Sequence, residues 1–355
     1  MAATDIAVVG YAQTPSVRTA RESEVQLLVP IVTEALERAG LDRREVGFTC
    51  AGSCDYLTGG PFAFVSNLEA AGAWPPISES HVEMDGAWAL YEAWVRLQHG
   101  DVDVALVFAS GRATAGASLR ETLTFQLDPY YLAPIGADYV SLAALQAQAV
   151  LEHTGRTEKD LAQIVAQRRR DAAGNPHAAV SGDVGVDELL RNDYVVAPLR
   201  THDIGPAVDG AAAVVLVAGD RAREVCDRPA WIAGIDHRAD PHYPGVRDLA
   251  QSRSTAVAGA RAGVADGGVE VAELTAVCSP EEIVLAEALG LDDSVTINPS
   301  GGALVANPVM VTGLVRIGEA FRQVHDHGRR RVLGHASSGP CLQQNLVCVL
   351  EGRDA

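Results

Sequence analysis

The chain has 355 residues, 48% of them hydrophobic and 21% charged, so it can bury a large core and is not expected to be disordered as a whole. Its formal net charge of −18 argues against nucleic acid as the main partner, because phosphate binding requires clustered Lys and Arg. No apolar run approaches the ~18–20 residues of a transmembrane helix. The N-terminus leads directly into a predicted strand rather than a signal peptide, so we expect a cytoplasmic protein with reduced thiols.

The first part of the chain predicts strands that alternate with helices. Apolar runs bounded by Gly indicate buried strands, and apolar residues at helical spacing indicate amphipathic helices. Strands are predicted over residues 5–11, 46–50, 80–82 and 102–108, and helices over 23–39 and 87–97.

Residues 113–195 lack this alternation. They contain an aromatic loop at Tyr130 and Tyr131 and two predicted helices, over 137–154 and 157–172. An irregular segment of this length predicts an excursion from a sheet that forms a cap over a site. The basic run 168–170 in the second helix either solvates the helix end or meets an anionic ligand such as a nucleotide phosphate.

The second part of the chain repeats the order of elements found in the first. A closing strand and a helix start are predicted over 209–224. Strands then follow over 231–235, 271–278, 294–297, 331–336 and 346–350, with helices over 252–262, 280–289 and 309–324. The repeated order predicts an internal duplication of two α/β halves, 1–225 and 226–355, although generic α/β proteins also alternate.

The turn at residues 83–86 connects a short strand to the central helix, and such turns often hold a nucleophile or an anion site. This turn carries two carboxylates, Glu83 and Asp85, and no Cys, Ser or His. Burial beside Asp85 would raise the pKa of Glu83 and make it a candidate general base. Asp85 is alternatively placed to cap the helix that starts at Ala87.

Several phrases in this order resemble the thiolase superfamily, specifically the sterol-carrier-protein-type thiolases of the lipid-transfer-protein group. They are GDVDVALV (100–107), DGAAAV (209–214), EALGL (287–291), NPSGG (298–302), Asn307-Pro308 and TGL (312–314). The resemblance covers nearly the whole chain. It implies a duplicated thiolase fold of five layers (αβαβα), a homodimer, and an acyl-CoA thioester as substrate with no further cofactor.

The chain departs from the thiolase pattern at the positions of the catalytic residues. The acylated Cys of the family matches Glu83 or Gly86, and Asn307 stands where the family has the His of its Gly-His-Pro turn. The C-terminal Cys-x-Gly motif is Ser337-Ser338-Gly339, with the nearest cysteine at Cys341. The Asn-Glu pair of another catalytic loop is Glu281-Glu282, of which only Glu282 matches. Because a carboxylate cannot replace a thiolate in forming an acyl-enzyme, we do not expect thiolysis or Claisen condensation by the usual route.

A related group of these homologues lacks the nucleophile and cleaves steroid side-chain β-hydroxyacyl-CoA thioesters by a retro-aldol reaction. Its members work with a small partner that carries an OB fold and a zinc ribbon. The resemblance therefore implies a lyase, plausible in sterol side-chain degradation. Such a reaction needs a base, a group that stabilises the enolate and an acid. The candidate catalytic residues are Glu83, Asn307, His335 and Glu282.

Other candidates concern substrate binding. Small residues let a ligand approach the backbone, and the predicted contacts are Gly301, Gly302, Ser337, Gly339 and Cys341, together with Asp85. Tyr130 and Tyr131 either line the acyl pocket or pack at the surface or a dimer interface. His335 could also be purely structural, and no metal site is expected, since the Asp and His residues at 236–242 lack matching distant ligands.

Two other functions stay open from the sequence. The chain could be a catalytically silent subunit that binds acyl-CoA or supports an active homologue, because nearly every usual catalytic residue is missing. It could also be a residual acyltransferase that uses Cys341 or Cys278.

Overall fold

The computed structural model describes residues 4–59, 61–72, 76–114 and 118–353. The strands are β1 (Ile6–Gln13), β2 (Phe48–Gly52), β3 (Ser78–Val82), β4 (Val104–Gly111), β5 (Tyr194–Val196), β6 (Leu199–Arg200), β7 (Ala207–Val208), β8 (Gly210–Ala218), β9 (Ala230–Ala239), β10 (Val271–Glu273), β11 (Thr296–Ile297), β12 (Asn307–Pro308), β13 (Arg331–Ser338) and β14 (Gln344–Gly352). The helices are α1 (Glu24–Arg38), α2 (Asp55–Thr58), α3 (Ala63–Ala71), α4 (Gly86–His99), α5 (Leu119–Thr122), α6 (Tyr139–Thr154), α7 (Glu158–Asp171), α8 (Val186–Leu189), α9 (Arg221–Val225), α10 (Arg253–Arg261), α11 (Ser279–Leu289) and α12 (Thr312–His325).

The main sheet has the strand order β11-β10-β13-β14-β9-β1-β8-β4-β2-β3. Outward from β1, the pairings are antiparallel to β8 and β4 and then parallel to β2 and β3. Outward from β9, the same sequence recurs: antiparallel to β14 and β13, then parallel to β10 and β11. One α/β arrangement therefore occurs twice, while the exact boundary at 225/226 stays a prediction.

Helices cover both half-sheets on both faces. The residues of β4 alternate: Ala105 and Val107 face the core around α4 and α12, whereas Leu106 and Phe108 face the core under α1. In the other half, Val332 of β13 faces α12, and the next residue, Leu333, faces α10 and α11. The layers are thus α1 with α3, the first half-sheet, α4 with α12, the second half-sheet, and α10 with α11.

The central helix α4 starts at Gly86, and the glycine is required by close packing. A Cβ atom at Gly86 would lie 2.8 Å from Ala109 Cβ and 2.9 Å from Leu314 Cδ2. Gly100 ends α4 with a φ of 75°, a left-handed conformation that glycine adopts easily, three residues beyond the end of the helix predicted over 87–97.

The predicted helices of the excursion, 137–154 and 157–172, correspond to α6 and α7. The predicted strand over 271–278 is too long, because β10 ends at Glu273. The backbone N–H groups that follow bond to side chains instead: Leu274 donates to Asn298 Oδ1 at 2.6 Å and Thr275 donates to His335 Nδ1 at 3.3 Å. Over the described ranges, no helix combines the length and the apolar character that a membrane span requires.

Candidate active site

A cavity of about 170 Å³ lies where the excursion meets the ends of the central elements. The excursion supplies an apolar wall from Leu119, Leu123 and Leu127. Most of the polar lining comes from the loops, strand ends and helix starts of the two halves, which also contribute apolar residues such as Ile204, Val277 and Met310. The polar and ionisable lining residues include Asp85, Gln126, Tyr139, Thr275, Cys278, Glu281, Asn307, Thr312, Ser337, Ser338 and Cys341.

Glu281 lies in the first turn of α11 and contributes a buried carboxyl group to the cavity. Its Oε2 atom accepts hydrogen bonds from the backbone N–H groups of Val277 at 2.7 Å and Cys278 at 3.1 Å. These bonds favour the charged form, but burial outweighs them and raises the pKa of Glu281 to about 7. A carboxyl group with this pKa can both accept and release a proton near neutral pH.

Asn307 in β12 is buried and lines the same cavity. Its Oδ1 atom lies 2.7 Å from the hydroxyl of Thr312, which also lies 2.9 Å from the carbonyl of Pro308. The side chain is therefore fixed from one side, and its amide nitrogen is the group available for an oxygen of a ligand.

Asp85 closes the N-termini of two helices with one carboxylate. It accepts from the backbone N–H of Ala87 in α4 at 2.8 Å, and from those of Gly313 and Leu314 in α12 at 2.9 and 3.0 Å. Burial raises the pKa of Asp85, and the three hydrogen bonds oppose that rise. These contacts agree with the alternative drawn from the sequence, in which Asp85 caps the helix that starts near Ala87. The carboxylate also occupies the positive helix ends that could otherwise hold a ligand anion.

The two cysteines of the cavity carry protonated thiols at neutral pH. Burial raises the pKa of Cys278 well above its ordinary value and that of Cys341 to about 12. The Cys341 thiol donates to the carbonyl of Leu142 at 3.3 Å. Because the thiolate is the nucleophile, neither cysteine is prepared for acyl transfer. Burial also raises the pKa of the Tyr139 phenol, so this group is a proton donor rather than a base.

The structure does not place Glu83 in the cavity. The expected burial beside Asp85 is wrong: Glu83 is exposed, and its Oε1 atom accepts the backbone N–H of Asp55 at 2.5 Å, at the start of α2. The chain turns between residues 83 and 85, so that the two carboxylates point to different sides. The support that burial would have given to Glu83 as a base is therefore absent.

Glu282 is buried but faces away from the cavity. Its Oε2 atom pairs with Arg168 Nε at 3.3 Å and accepts from Asn298 Nδ2 at 3.0 Å. Arg168 also pairs with Asp171 at 2.8 Å, so this member of the basic run is neutralised within the protein. The sequence comparison selected Glu282 of the adjacent pair, whereas Glu281 lines the cavity. The sequence could have drawn attention to Glu281 as well, because it is also a carboxylate in the first turn of the predicted helix over 280–289.

His335 lies in β13, is fully buried and does not line the cavity. Its Nδ1 atom accepts the backbone N–H of Thr275, so Nε2 carries the proton and donates to Asn345 Oδ1 at 3.1 Å. Burial lowers the pKa of His335 to about 4, and the ring is neutral at physiological pH. This environment agrees with the alternative that His335 has a purely structural role.

The remaining predicted binding residues divide into two groups. Ser337, Gly339 and Cys341 line the cavity together with Asp85 and Asn307. Gly301 and Gly302 form a turn outside it, with φ values of 94° and 67°. Tyr130 and Tyr131 are 80% and 71% exposed, which places them on the surface rather than in a pocket for the acyl group.

The residues at 236–242 take part in other contacts. His237 packs against the ring of Tyr91, with centroids 4.6 Å apart, and Asp240 accepts from the hydroxyl of Ser254 at 2.5 Å. Among residues 4–59, 61–72, 76–114 and 118–353, no group of three or more His, Cys, Asp or Glu side chains could hold a metal ion.

Similarity to known proteins extends along the chain. No protein-family model matches it. It is 26% identical over 361 residues to an acetyl-CoA acetyltransferase of Methanothermobacter thermautotrophicus, covering 93% of this chain and 94% of the relative. It is 25% identical over 253 residues to a 17-hydroxy-3-oxo-4-pregnene-20-carboxyl-CoA lyase of Mycobacterium tuberculosis, covering 66% of this chain and 63% of the relative.

Solved structures match the whole fold. An Ltp2-ChsH2(DUF35) aldolase superposes with a TM-score of 0.81 at 20% identity, covering 98% of both chains. Human mitochondrial 3-ketoacyl-CoA thiolase gives a TM-score of 0.79 at 13% identity, covering 99% of this chain and 98% of the other. A monomeric SCP2-thiolase-like protein of Mycobacterium smegmatis gives 0.77 at 19% identity, covering 99% and 77%. These matches confirm the predicted thiolase fold, and in sequence the chain is similar to thiolase-type and SCP2-type proteins at 24–26% identity.

Proposed function

We propose that this protein is a carbon–carbon lyase that cleaves a β-hydroxyacyl-CoA thioester by a retro-aldol reaction. The observation that carries the proposal is the composition of the cavity. It offers an ionisable carboxyl group, Glu281, and an amide, Asn307, while its two cysteines are buried as protonated thiols. A retro-aldol reaction requires proton transfer and enolate stabilisation but no covalent intermediate.

The comparisons support acyl-CoA chemistry at this fold. The relatives include acyltransferases and a lyase that acts on a steroid carboxyl-CoA thioester, and a structural neighbour is an aldolase. We take a β-hydroxyacyl-CoA from a sterol side chain as the substrate class. The apolar wall of Leu119, Leu123 and Leu127 would face the acyl group, and Asn307 would hold the thioester oxygen or its enolate.

The assembly is also a proposal. The name of the aldolase neighbour combines two proteins, Ltp2 and ChsH2(DUF35). We propose that this chain likewise works with a small second protein, of the OB-fold and zinc-ribbon type, and as a homodimer. The SCP2-thiolase-like neighbour is a monomer, so the oligomeric state needs its own measurement by light scattering.

The function is tested by incubating the purified chain, alone and with proteins co-purified from its host, with β-hydroxyacyl-CoA thioesters that carry a tertiary alcohol. Mass spectrometry should detect a ketone and a shortened acyl-CoA in equal amounts. A 3-ketoacyl-CoA plus free CoA serves as the comparison substrate and should remain intact. Thiolysis of this ketoacyl-CoA, or no carbonyl product from any thioester, would refute the proposal.

A further inference from the structure

We infer that Glu281 is the residue that moves the proton in this cavity. It would take the proton of the β-hydroxyl group while the bond between Cα and Cβ breaks, and then return a proton to Cα of the departing enolate. The hydroxyl oxygen becomes the carbonyl oxygen, and the electron pair of the broken bond forms the enolate. The reaction is balanced without another reactant, and the inference rests on the proposed function.

The hydrogen bonds of Glu281 leave one carboxyl oxygen for this task. Oε2 is held by two backbone N–H groups at the start of α11, and this anchor fixes the orientation of the side chain. Within the described residues, Oε1 has no protein donor and Glu281 takes part in no ion pair. The second oxygen is therefore available to a substrate hydroxyl in the cavity.

The other titratable groups of the cavity are less suited to act as the base. Both oxygens of Asp85 accept backbone N–H groups, so that its carboxylate is occupied by α4 and α12. Tyr139, Cys278 and Cys341 all have raised pKa values and are protonated at neutral pH. Cys278 and Cys341 are close enough to Glu281 for its charge to raise their pKa values further.

The test follows the reaction in the reverse direction, as proton abstraction from Cα of a thioester. Acetyl-CoA and propionyl-CoA are incubated with the protein in D₂O, and NMR follows the loss of the α protons. The wild type should catalyse this exchange, and Glu281→Gln should slow it by about 100-fold or more, the usual effect of removing a general base. Glu287→Gln is the matched control, because Glu287 lies exposed on the same helix and does not line the cavity.

The pH profile separates proton transfer from a structural effect. The exchange rate of the wild type should rise with pH through about 7 as Glu281 ionises, and this rise should be absent in the residual rate of Glu281→Gln. The amide oxygen of Gln can accept the same two backbone N–H groups, so the fold should persist, which circular dichroism checks. Glu281→Asp, which keeps the carboxylate, should recover part of the rate.

The outcomes distinguish this inference from the proposed function. Exchange that depends on Glu281, without cleavage of any β-hydroxyacyl-CoA, supports the role of Glu281 and refutes the lyase. Cleavage that persists in Glu281→Gln overturns the inference and leaves the lyase intact. Absence of exchange in the wild type, or a rate in Glu281→Gln within about twofold of the wild type, also overturns it.

Discussion

Replacing Glu281 by Gln removes a buried ionisable group with little change of shape, so its effect on stability should depend on pH. The pKa of Glu281 rises from the ordinary value of 4.5 to about 7 in the folded protein. At about 1.4 kcal/mol for each pKa unit, ionising this carboxyl group costs the folded state ~3 kcal/mol. The folded protein holds the proton more tightly than the unfolded chain, so this cost appears as pH rises from 4.5 to 7.

The expected result is a widening gap between the two proteins. Relative to the wild type, Glu281→Gln should gain about 1 kcal/mol at pH 5 and about 3 kcal/mol at pH 8, on top of any difference that does not depend on pH. Urea unfolding at several pH values between 5 and 8.5 measures the free energy of unfolding for each protein. Glu287→Gln is the control, because an exposed carboxylate has no burial cost to relieve.

A gap that stays constant between pH 5 and pH 8 would refute this reasoning. It would mean that Glu281 ionises with an ordinary pKa in the folded protein, as a solvated carboxyl group and not as a buried one. A gap that shrinks as pH rises would show the opposite linkage, in which the folded state favours the charged carboxylate.

Three further predictions concern other contacts. Asp85→Ala leaves three buried backbone N–H groups without their acceptor, and we expect the free energy of unfolding in urea to fall by about 3 kcal/mol. An unchanged midpoint of urea unfolding would contradict the role of Asp85 in capping both α4 and α12. Cys278 and Cys341 should carry no acyl adduct after incubation with acyl-CoA, and an adduct on either in mass spectrometry would revive the acyltransferase. Gly318→Ala places a Cβ atom 2.1 Å from the ring of Tyr11 and should lower the free energy of unfolding, measured in urea, by about 2 kcal/mol or more. A double variant with Tyr11→Leu should recover part of this loss, whereas additive effects of the two substitutions would count against the contact.

Much of the fold could be predicted from the sequence, because local patterns determine it. The helix after the central turn has its cap and its glycine stop in the sequence, and the structure extends it only to Gly86–His99. The strand predicted over 271–278 was too long because the pattern of apolar residues continues beyond Glu273, while the hydrogen bonds change to side chains contributed by distant residues. Such partners are set by tertiary contacts, which periodicity does not contain.

The candidate site was less predictable, for a related reason. Asp85, Asn307 and the segment from Ser337 to Cys341 reach the cavity, and each lies at or near the end of a helix or strand that the sequence pattern indicates. Adjacent residues of a helix point about 100° apart, so Glu281 faces the cavity and Glu282 faces Arg168. The sequence shows that both carboxylates lie at the helix start, but their directions depend on how α11 is rotated against its neighbours.

The position of β1 between β8 and β9 has a consequence for synthesis of the chain. Residues 6–13 pair with residues 212–218, so the first strand waits for about 200 further residues before its partner exists. At about 5–20 residues per second, the ribosome needs roughly 10–40 s to make them. During that time an apolar strand has two free edges, which favours pairing with other chains. We therefore expect folding of the nascent chain to depend on chaperones more than the stability of the folded protein would indicate. A circular permutant that begins at β9 would keep this dependence, because the number of residues between β1 and β8 stays the same.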